Sequence, residues 1–205
     1  MMDPKNIIVL LDVGHGKNTP GKCSPDKSLF EWKWVRDLAN VIKPQLDALG
    51  FDCRIIVPEE TDVSLNTRVS RVNKIWAENG KNKKGKFVIL ISLHINASGN
   101  DNKWHSATGW TVWVSNNASI TSKILAQKLY TEADRLGLKG NRYVNKDKYW
   151  CANYYILKNT NCPAVLTENM FQDNQDDVKF LLSKDGLDKC AKVHVIGIRN
   201  FVSTL

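Results

Sequence analysis

The sequence predicts an α/β fold, a single domain in which helices cover both faces of a sheet. Three observations carry this. Strand-like and helix-like segments alternate from end to end, the pattern of a layered α/β sheet. The strongest strand segments are continuous apolar runs, as expected for strands buried on both faces. The 205 residues are 42% hydrophobic and 24% charged. That fits one domain over residues 1–205 with a sizeable core, and it excludes a disordered chain. No apolar run approaches the ~20 residues of a membrane-spanning helix.

Each element follows from local pattern. Ile7–Val13 is an apolar run closed by Gly14 and reads as the first strand. Glu31–Leu49 sets Trp34, Leu38, Val41, Ile42, Leu46 and Leu49 at helical spacing, and Gly50 ends it. Pro44 within that helix predicts a bend or a break. Phe51–Val57 reads as a strand and Leu65–Trp76 as a helix, with Leu65, Val69, Val72 and Trp76 on one face. Lys81, Lys83, Lys84 and Lys86 stand among glycine and asparagine and predict a solvated loop. Phe87–Ile95 is the strongest strand signal, followed by a short strand at Trp110–Val114 and a helix over Ile120–Leu136 that stops at Gly137. Lys139 to Tyr149 reads as a surface loop, Tyr154–Leu157 and Ala164–Thr167 as strands, and Leu187–Phe201 as a closing helix. There is no internal repeat, low-complexity segment or linker.

The net charge is +8, but residues 1–103 and 104–205 each carry a surplus of +4. A nucleic-acid binder gathers its charge into an arm or stripe, so no nucleic-acid partner is expected. A diffuse positive surface suits solubility and weak attraction to anionic polymers. Cys23, Cys53, Cys151, Cys162 and Cys190 are scattered, odd in number and form no C-x-x-C pair, which predicts free thiols in a reducing compartment. The apolar run Ile7–Leu11 is interrupted by Asp12. It is too short for a signal-peptide core, so the expectation is cytoplasmic synthesis without a signal peptide.

In open α/β sheets ligands bind beyond the carboxyl ends of the strands. Three strand ends here carry Asp12-Val13-Gly14-His15-Gly16, Ser92-Leu93-His94-Ile95-Asn96 and Val165-Leu166-Thr167-Glu168-Asn169. They bring two imidazoles and a carboxylate to one sheet edge, and Glu31 opens the helix after the first strand. Two imidazoles and a carboxylate suit a catalytic Zn²⁺ with one open position, and a further carboxylate serves as general base on water. Taken singly, His15 between glycines also suits a turn cap, and Glu31 a helix-dipole partner. His94 and Glu168 close apolar strands, where an unpartnered polar group is costly.

The segments Val9–Gly16, Ser92–Ala97 and Pro163–Glu168 resemble the three signature segments of the zinc-dependent N-acetylmuramoyl-L-alanine amidases, the type 3 amidase family. Between them, Thr61-Asp62 with Leu65 and Arg68, and Gly109-Trp110-Thr111-Val112, are similar to further family segments. Together these cover Ile7 to about Phe201. The resemblance implies a twisted, mostly parallel sheet flanked by helices. It also implies one Zn²⁺ per chain on His15, Glu31 and His94, with Glu168 as the catalytic glutamate. Two departures are visible. Lys17-Asn18-Thr19-Pro20-Gly21 follows the first histidine in place of a glycine and an acidic residue, and Asn169-Met170-Phe171 follows the glutamate where the family has a small residue and Gly-Phe.

The implied activity is a peptidoglycan hydrolase that cuts the amide between N-acetylmuramic acid and L-alanine of the stem peptide. A zinc peptidase of the stem and a non-catalytic wall-binding domain are the alternatives. Asn96, Trp104, His105 and Trp150 are expected to touch substrate, while Trp34 and Trp76 belong to the core and His194 is a satisfied helix histidine. The expected enzyme is a monomer without membrane insertion. It reaches the wall after phage-type release or, if a leader precedes this sequence, acts in the envelope.

Overall fold

Uninterrupted apolar runs place three strands at the centre of the sheet. The computed structural model describes residues 2–80, 85–143 and 146–205. Strands β1 (Ile7–Val13), β3 (Phe87–Asn96) and β6 (Ala164–Phe171) lie side by side and parallel. Strand β2 (Asp52–Ile55) joins β1 in parallel, β4 (Thr111–Val114) pairs antiparallel with β6, and β5 (Trp150–Cys151) closes the far edge. The sheet has six strands in the order β2-β1-β3-β6-β4-β5.

Helix α1 (Glu31–Ala48) connects β1 to β2, and α2 (Leu65–Asn79) connects β2 to β3. These two crossovers run in opposite directions along the sheet, so right-handedness puts them on opposite faces. Helix α3 (Ile120–Arg135) and the last helix α6 (Lys184–Val202) pack with each other, and α1 also packs on α6. Helix α4 (Tyr155–Asn159) packs on α2, and α5 (Gln175–Leu182) on α6. The core runs through β1, where Ile7 to Leu11 are fully buried, to Val35, Leu38 and Ile42 of α1 and Ile198 and Phe201 of α6. The predicted α/β class, mostly parallel sheet and helical cover on both faces are what the fold shows. Among the described residues, no helix is long and apolar enough to cross a membrane.

Several expectations need correction. Tyr154–Leu157 is not a strand. Tyr155–Asn159 forms α4, burying Ile156 and Leu157 and leaving both tyrosines exposed, because a four-residue apolar run carries no period that separates strand from helix. The preceding Trp150-Cys151 pairs with β4 instead. Leu65, expected on the buried face of α2, is 52% exposed, and α1 runs through Pro44 without a break. The described residues of the stretch from Lys139 to Tyr149 form the expected surface loop, mostly exposed, and only Tyr149 at its end is buried. The sequence pattern does not mark helix α5, although the Asn174 carboxamide caps it by accepting from the N–H groups of Asp176 and Asp177. Of the lysine run, Lys81, Lys83 and Lys84 lie outside the described residues, while Lys86 pairs with Asp52 at 3.0 Å. Trp34 is core, its indole N–H donating to the Leu181 carbonyl at 2.8 Å. His194 is fully buried, with Nδ1 2.7 Å from the Cys190 carbonyl and Nε2 3.0 Å from Thr167 Oγ1.

All five cysteines are free, and they differ in reach. Cys151 is exposed and Cys23 half-buried, whereas Cys53, Cys162 and Cys190 are buried. Burial pushes the Cys53 and Cys162 thiols up to about 12 and raises that of Cys190 as well. At pH 8 a thiol reagent is therefore expected to label Cys151 and Cys23 in the folded protein and the other three only after unfolding. Peptide mass spectrometry of the labelled protein reads this directly, and native labelling of Cys190 would contradict the packing described.

Candidate metal centre and active site

The strand order reverses between β1 and β3, since β1 is followed by β2 on one side and β3 on the other. Such a switch point opens a crevice at the carboxyl ends of the strands. His15 emerges there from β1, His94 lies near the end of β3, and Glu31 begins α1 at the same edge. The carboxylate is buried to 1% exposure. His94 Nδ1 lies 3.1 Å and His15 Nε2 3.5 Å from Glu31 Oε1, which also accepts from the Ile95 N–H at 3.0 Å. One ligand atom from each of the three residues falls within 4.8 Å of the others, a group that could hold a metal ion. Glu31 Oε2 is buried without a hydrogen-bond partner, which leaves an acceptor directed to that role.

Glu168 belongs to β6 and does not follow it. It stands opposite His94 in the parallel register, so both side chains project from the same face. Its Oε2 is also buried and unpartnered. The strand bulges just beyond, where His94 pairs with Glu168 but Asn96 pairs with Phe171. The extra residue is Met170 with φ +66°, at the position where the resemblance expects glycine. Asn169 turns to the other face, donates to the His94 carbonyl at 3.0 Å and accepts from the Trp110 indole at 2.9 Å. Substitution of the small residue by Asn169 thus adds a brace behind His94.

Electrostatics follow from burial and this crowding. Burial opposes ionisation of Glu31, but the His94 hydrogen bond and the charges of both histidines hold its carboxyl below the usual range. Burial likewise opposes a charged His94, and Glu31 outweighs it, raising the imidazole. His15 is lowered to about 4, chiefly by burial, and is therefore neutral at pH 7 with a lone pair to offer. Burial, reinforced by the charge of Glu31, pushes Glu168 up to about 8 against the pull of His94, Lys22 and Arg142.

A second layer fixes His15, whose φ of +58° is unusual for a residue other than glycine. Its carbonyl accepts from Arg36 at 3.0 Å and from Arg68 at 3.4 Å. Arg68 also donates to Asp12 at 2.7 Å, to the Val13 carbonyl at 2.6 Å and to Asp62 at 3.0 Å, and Ser92 donates to Asp12 at 2.6 Å. Arg68 and Asp12 are both almost fully buried. Gly14 supplies the remaining condition, because a Cβ there would lie 2.5 Å from His94 Cε1 and 2.6 Å from Nδ1. A cavity of about 280 Å³ opens from His15 and His94 along Asp62, Leu65, Arg68, Tyr154 and Tyr155.

None of the other expected substrate contacts lines this cavity. The Asn96 carboxamide accepts from the Ala97 N–H at 2.9 Å and so closes its own turn. Trp104 and His105 border a different cavity on the same edge, together with Ser106 and Asn174–Asp176, and His105 pairs with Asp101 at 2.9 Å. Trp150 packs against Trp113 and Tyr130, with Arg142 over its ring. The sequence pattern gives no signal for Arg36, Arg142, Tyr154 or Lys22. For Arg68 a signal existed, a charged residue beside Val69 on the inward side of α2.

The sequence profile of a family described as N-acetylmuramoyl-L-alanine amidase matches residues 9–200. Among curated proteins, the N-acetylmuramoyl-L-alanine amidase AmiC of Neisseria meningitidis serogroup B is 24% identical over 96% of this chain and 53% of its own length. The endolysin of Bacillus phage SPP1 is 25% identical over 96% of this chain and 66% of its own length. The chain thus spans about half to two thirds of these relatives. Among solved structures, the catalytic domain of the amidase CwlV from Bacillus (Paenibacillus) polymyxa superposes with a TM-score of 0.77 at 20% identity, covering 97% of this chain and 99% of that one. The amidase Ami1 of Mycobacterium smegmatis gives 0.78 at 17% identity, covering 97% and 98%. These structures share the fold.

Two outcomes test the second layer. Arg68→Met strands the Asp12 carboxylate and is expected to cost about 3–5 kcal/mol, a fall of roughly 10 °C in melting temperature; Asp12→Leu added to it should recover much of the loss in the same thermal scan. Gly14→Ala changes no ligand but displaces the His94 ring, so metal affinity should fall roughly 10- to 100-fold. A metal titration of the folded variant that matches wild type would show the Gly14 contact to be irrelevant.

Proposed function

The chain belongs to the N-acetylmuramoyl-L-alanine amidase family, and on that premise we propose that residues 1–205 form one catalytic domain that hydrolyses the amide between N-acetylmuramic acid and the L-alanine of peptidoglycan stems. His15, Glu31 and His94 would hold one Zn²⁺ per chain, with Glu168 as general base and acid. The observation that carries this is the convergence of the three ligand atoms within 4.8 Å, with Glu168 in register beside His94.

The donor set fits the ion. Two imidazoles and one carboxylate leave a position for water and substrate, and the hidden Glu31 Oε2 has no other partner. When bound, zinc lowers the pKa of water toward ~7 and polarises the scissile carbonyl. Glu168 takes the proton of the attacking water and returns it to the departing amine of L-alanine, which leaves as the neutral N-terminus of the stem. The Ile95 N–H fixes the Glu31 carboxylate, Asn169 fixes the His94 backbone, and Arg36 and Arg68 fix His15, so the ligands are held before substrate arrives. The cavity beside Tyr154 and Tyr155 takes part of the glycan–peptide junction. This reading describes a monomeric, wall-acting enzyme of the lytic type.

Glu168→Ala is expected to keep zinc in stoichiometric amount and lose wall hydrolysis by roughly 10²- to 10⁴-fold. Release of free L-alanine amino groups from purified peptidoglycan measures the loss, and an unchanged rate would remove Glu168 from its role. Mass spectrometry of the wild-type digest should show sugar-free stems beginning with L-alanine; fragments cut within the stem would instead identify a peptidase.

A further inference from the structure

Arg142 differs from the other arginines that enter the interior. Arg68 is paired with Asp12, Arg71 with Glu59, and Arg36 donates to backbone carbonyls. The Arg142 guanidinium is half-buried between two aromatic rings, 5.2 Å from the centroid of Trp150 and 5.2 Å from that of Phe171. Its Nη1 is hidden from solvent without a hydrogen-bond partner, and it is the only such side-chain donor among the described residues, the remaining unpartnered atoms being acceptors. Among the described residues no carboxylate forms an ion pair with it. The acidic groups that act on it at longer range are Glu168, Tyr130 and Tyr154, and Phe171 stands three residues beyond Glu168 on β6. A guanidinium clamped by two rings, beside the reacting carboxyl and with an N–H left over, is costly unless an acceptor is supplied during function. A planar, fixed fork matches a carboxylate or a phosphate, and of the two a peptide supplies the carboxylate.

We infer that Arg142 binds a carboxylate of the stem peptide next to Glu168, which makes it a determinant of substrate specificity; the inference rests on the amidase reading above. Within a muramoyl peptide, the first carboxylate beyond the scissile amide is that of the acidic residue following L-alanine, and it is present either free or as the amide.

The test compares N-acetylmuramoyl-L-alanyl-D-glutamate with N-acetylmuramoyl-L-alanyl-D-isoglutamine, each capped at the γ-carboxyl as its methylamide so that the two differ only at the α-carboxyl, using zinc-loaded wild type and Arg142→Gln. Wild type should favour the free carboxylate by roughly 10- to 100-fold in kcat/KM, mostly through KM, and Arg142→Gln should lose that preference with its zinc content unchanged. A preference that survives the substitution, or an equal fall on both substrates, overturns the assignment. If Arg142→Gln does not fold, Arg142→Lys replaces it, keeping the charge and losing the fork, and an undiminished preference there is equally fatal. If wild type cuts neither substrate, the amidase reading fails separately. Calorimetric binding of L-alanyl-D-glutamate to the zinc-loaded proteins then decides about Arg142: tighter binding to wild type than to the variant by the same factor supports it, and equal binding refutes it.

Discussion

A carboxylate buried at the switch point of the sheet is the constraint around which the rest is arranged. Glu31 is 1% exposed, and an ionised group in that position is tolerated only with partners in place. Two of them are imidazoles and one is a backbone N–H. To bring them together, α1 must begin where β1 and β3 diverge. Its first turn has no side-chain cap, because the capping position is occupied by Phe30 and the acidic side chain of the first turn is committed to the histidines. The chain before it must also turn sharply enough to set His15 in the left-handed region, and residue 14 must lack a side chain so that the His94 ring can fit against it.

The fold was legible where burial is symmetric. β1, β3 and β6 are covered on both faces, and that environment writes itself into sequence as unbroken Ile, Val and Leu. Where an element is short the signal fails. Tyr155–Asn159 buries only Ile156 and Leu157, and its apolar run reads equally well as a strand. The ligand residues were visible because a polar side chain at the end of an apolar strand stands out. Their pairing was not, since the register that sets Glu168 beside His94 depends on contacts 74 residues apart. Arg142 was illegible for the same reason. It sits in a polar stretch of unremarkable composition, and one of the rings that clamp it, Phe171, belongs to another part of the chain.

Departures from the family pattern have local compensation. Met170 takes a positive φ where glycine would be free of strain, a cost of about 1–2 kcal/mol for an L-residue, yet the bulge is kept because it shifts the strand beyond Glu168 out of register with β3. Met170 is itself buried, so apolar contact offsets part of the strain. Asn169, larger than the small residue it replaces, uses its added groups to tie the His94 carbonyl to the Trp110 indole. Strain at His15 and Met170 lies on either side of the same centre, where over-determined surroundings can hold it.

The distribution of unmet hydrogen-bonding capacity gives the same answer by an independent route. Among the described residues, the buried side-chain atoms without partners are Glu31 Oε2, Glu168 Oε2, Arg142 Nη1, Gln172 Oε1 and Asp173 Oδ1. Glu31 starts the helix after β1, Glu168 lies near the end of β6, and Gln172 and Asp173 follow it directly, while Arg142 is clamped on Phe171. All five therefore gather at one edge of a sheet whose interior elsewhere satisfies its polar groups, down to the Thr167–His194 and Asp12–Arg68 pairs. A defect of folding would scatter such atoms. Their concentration at the crevice is what a site selected for ligands requires, since polar groups already paired with the protein have nothing left to offer a metal or a substrate.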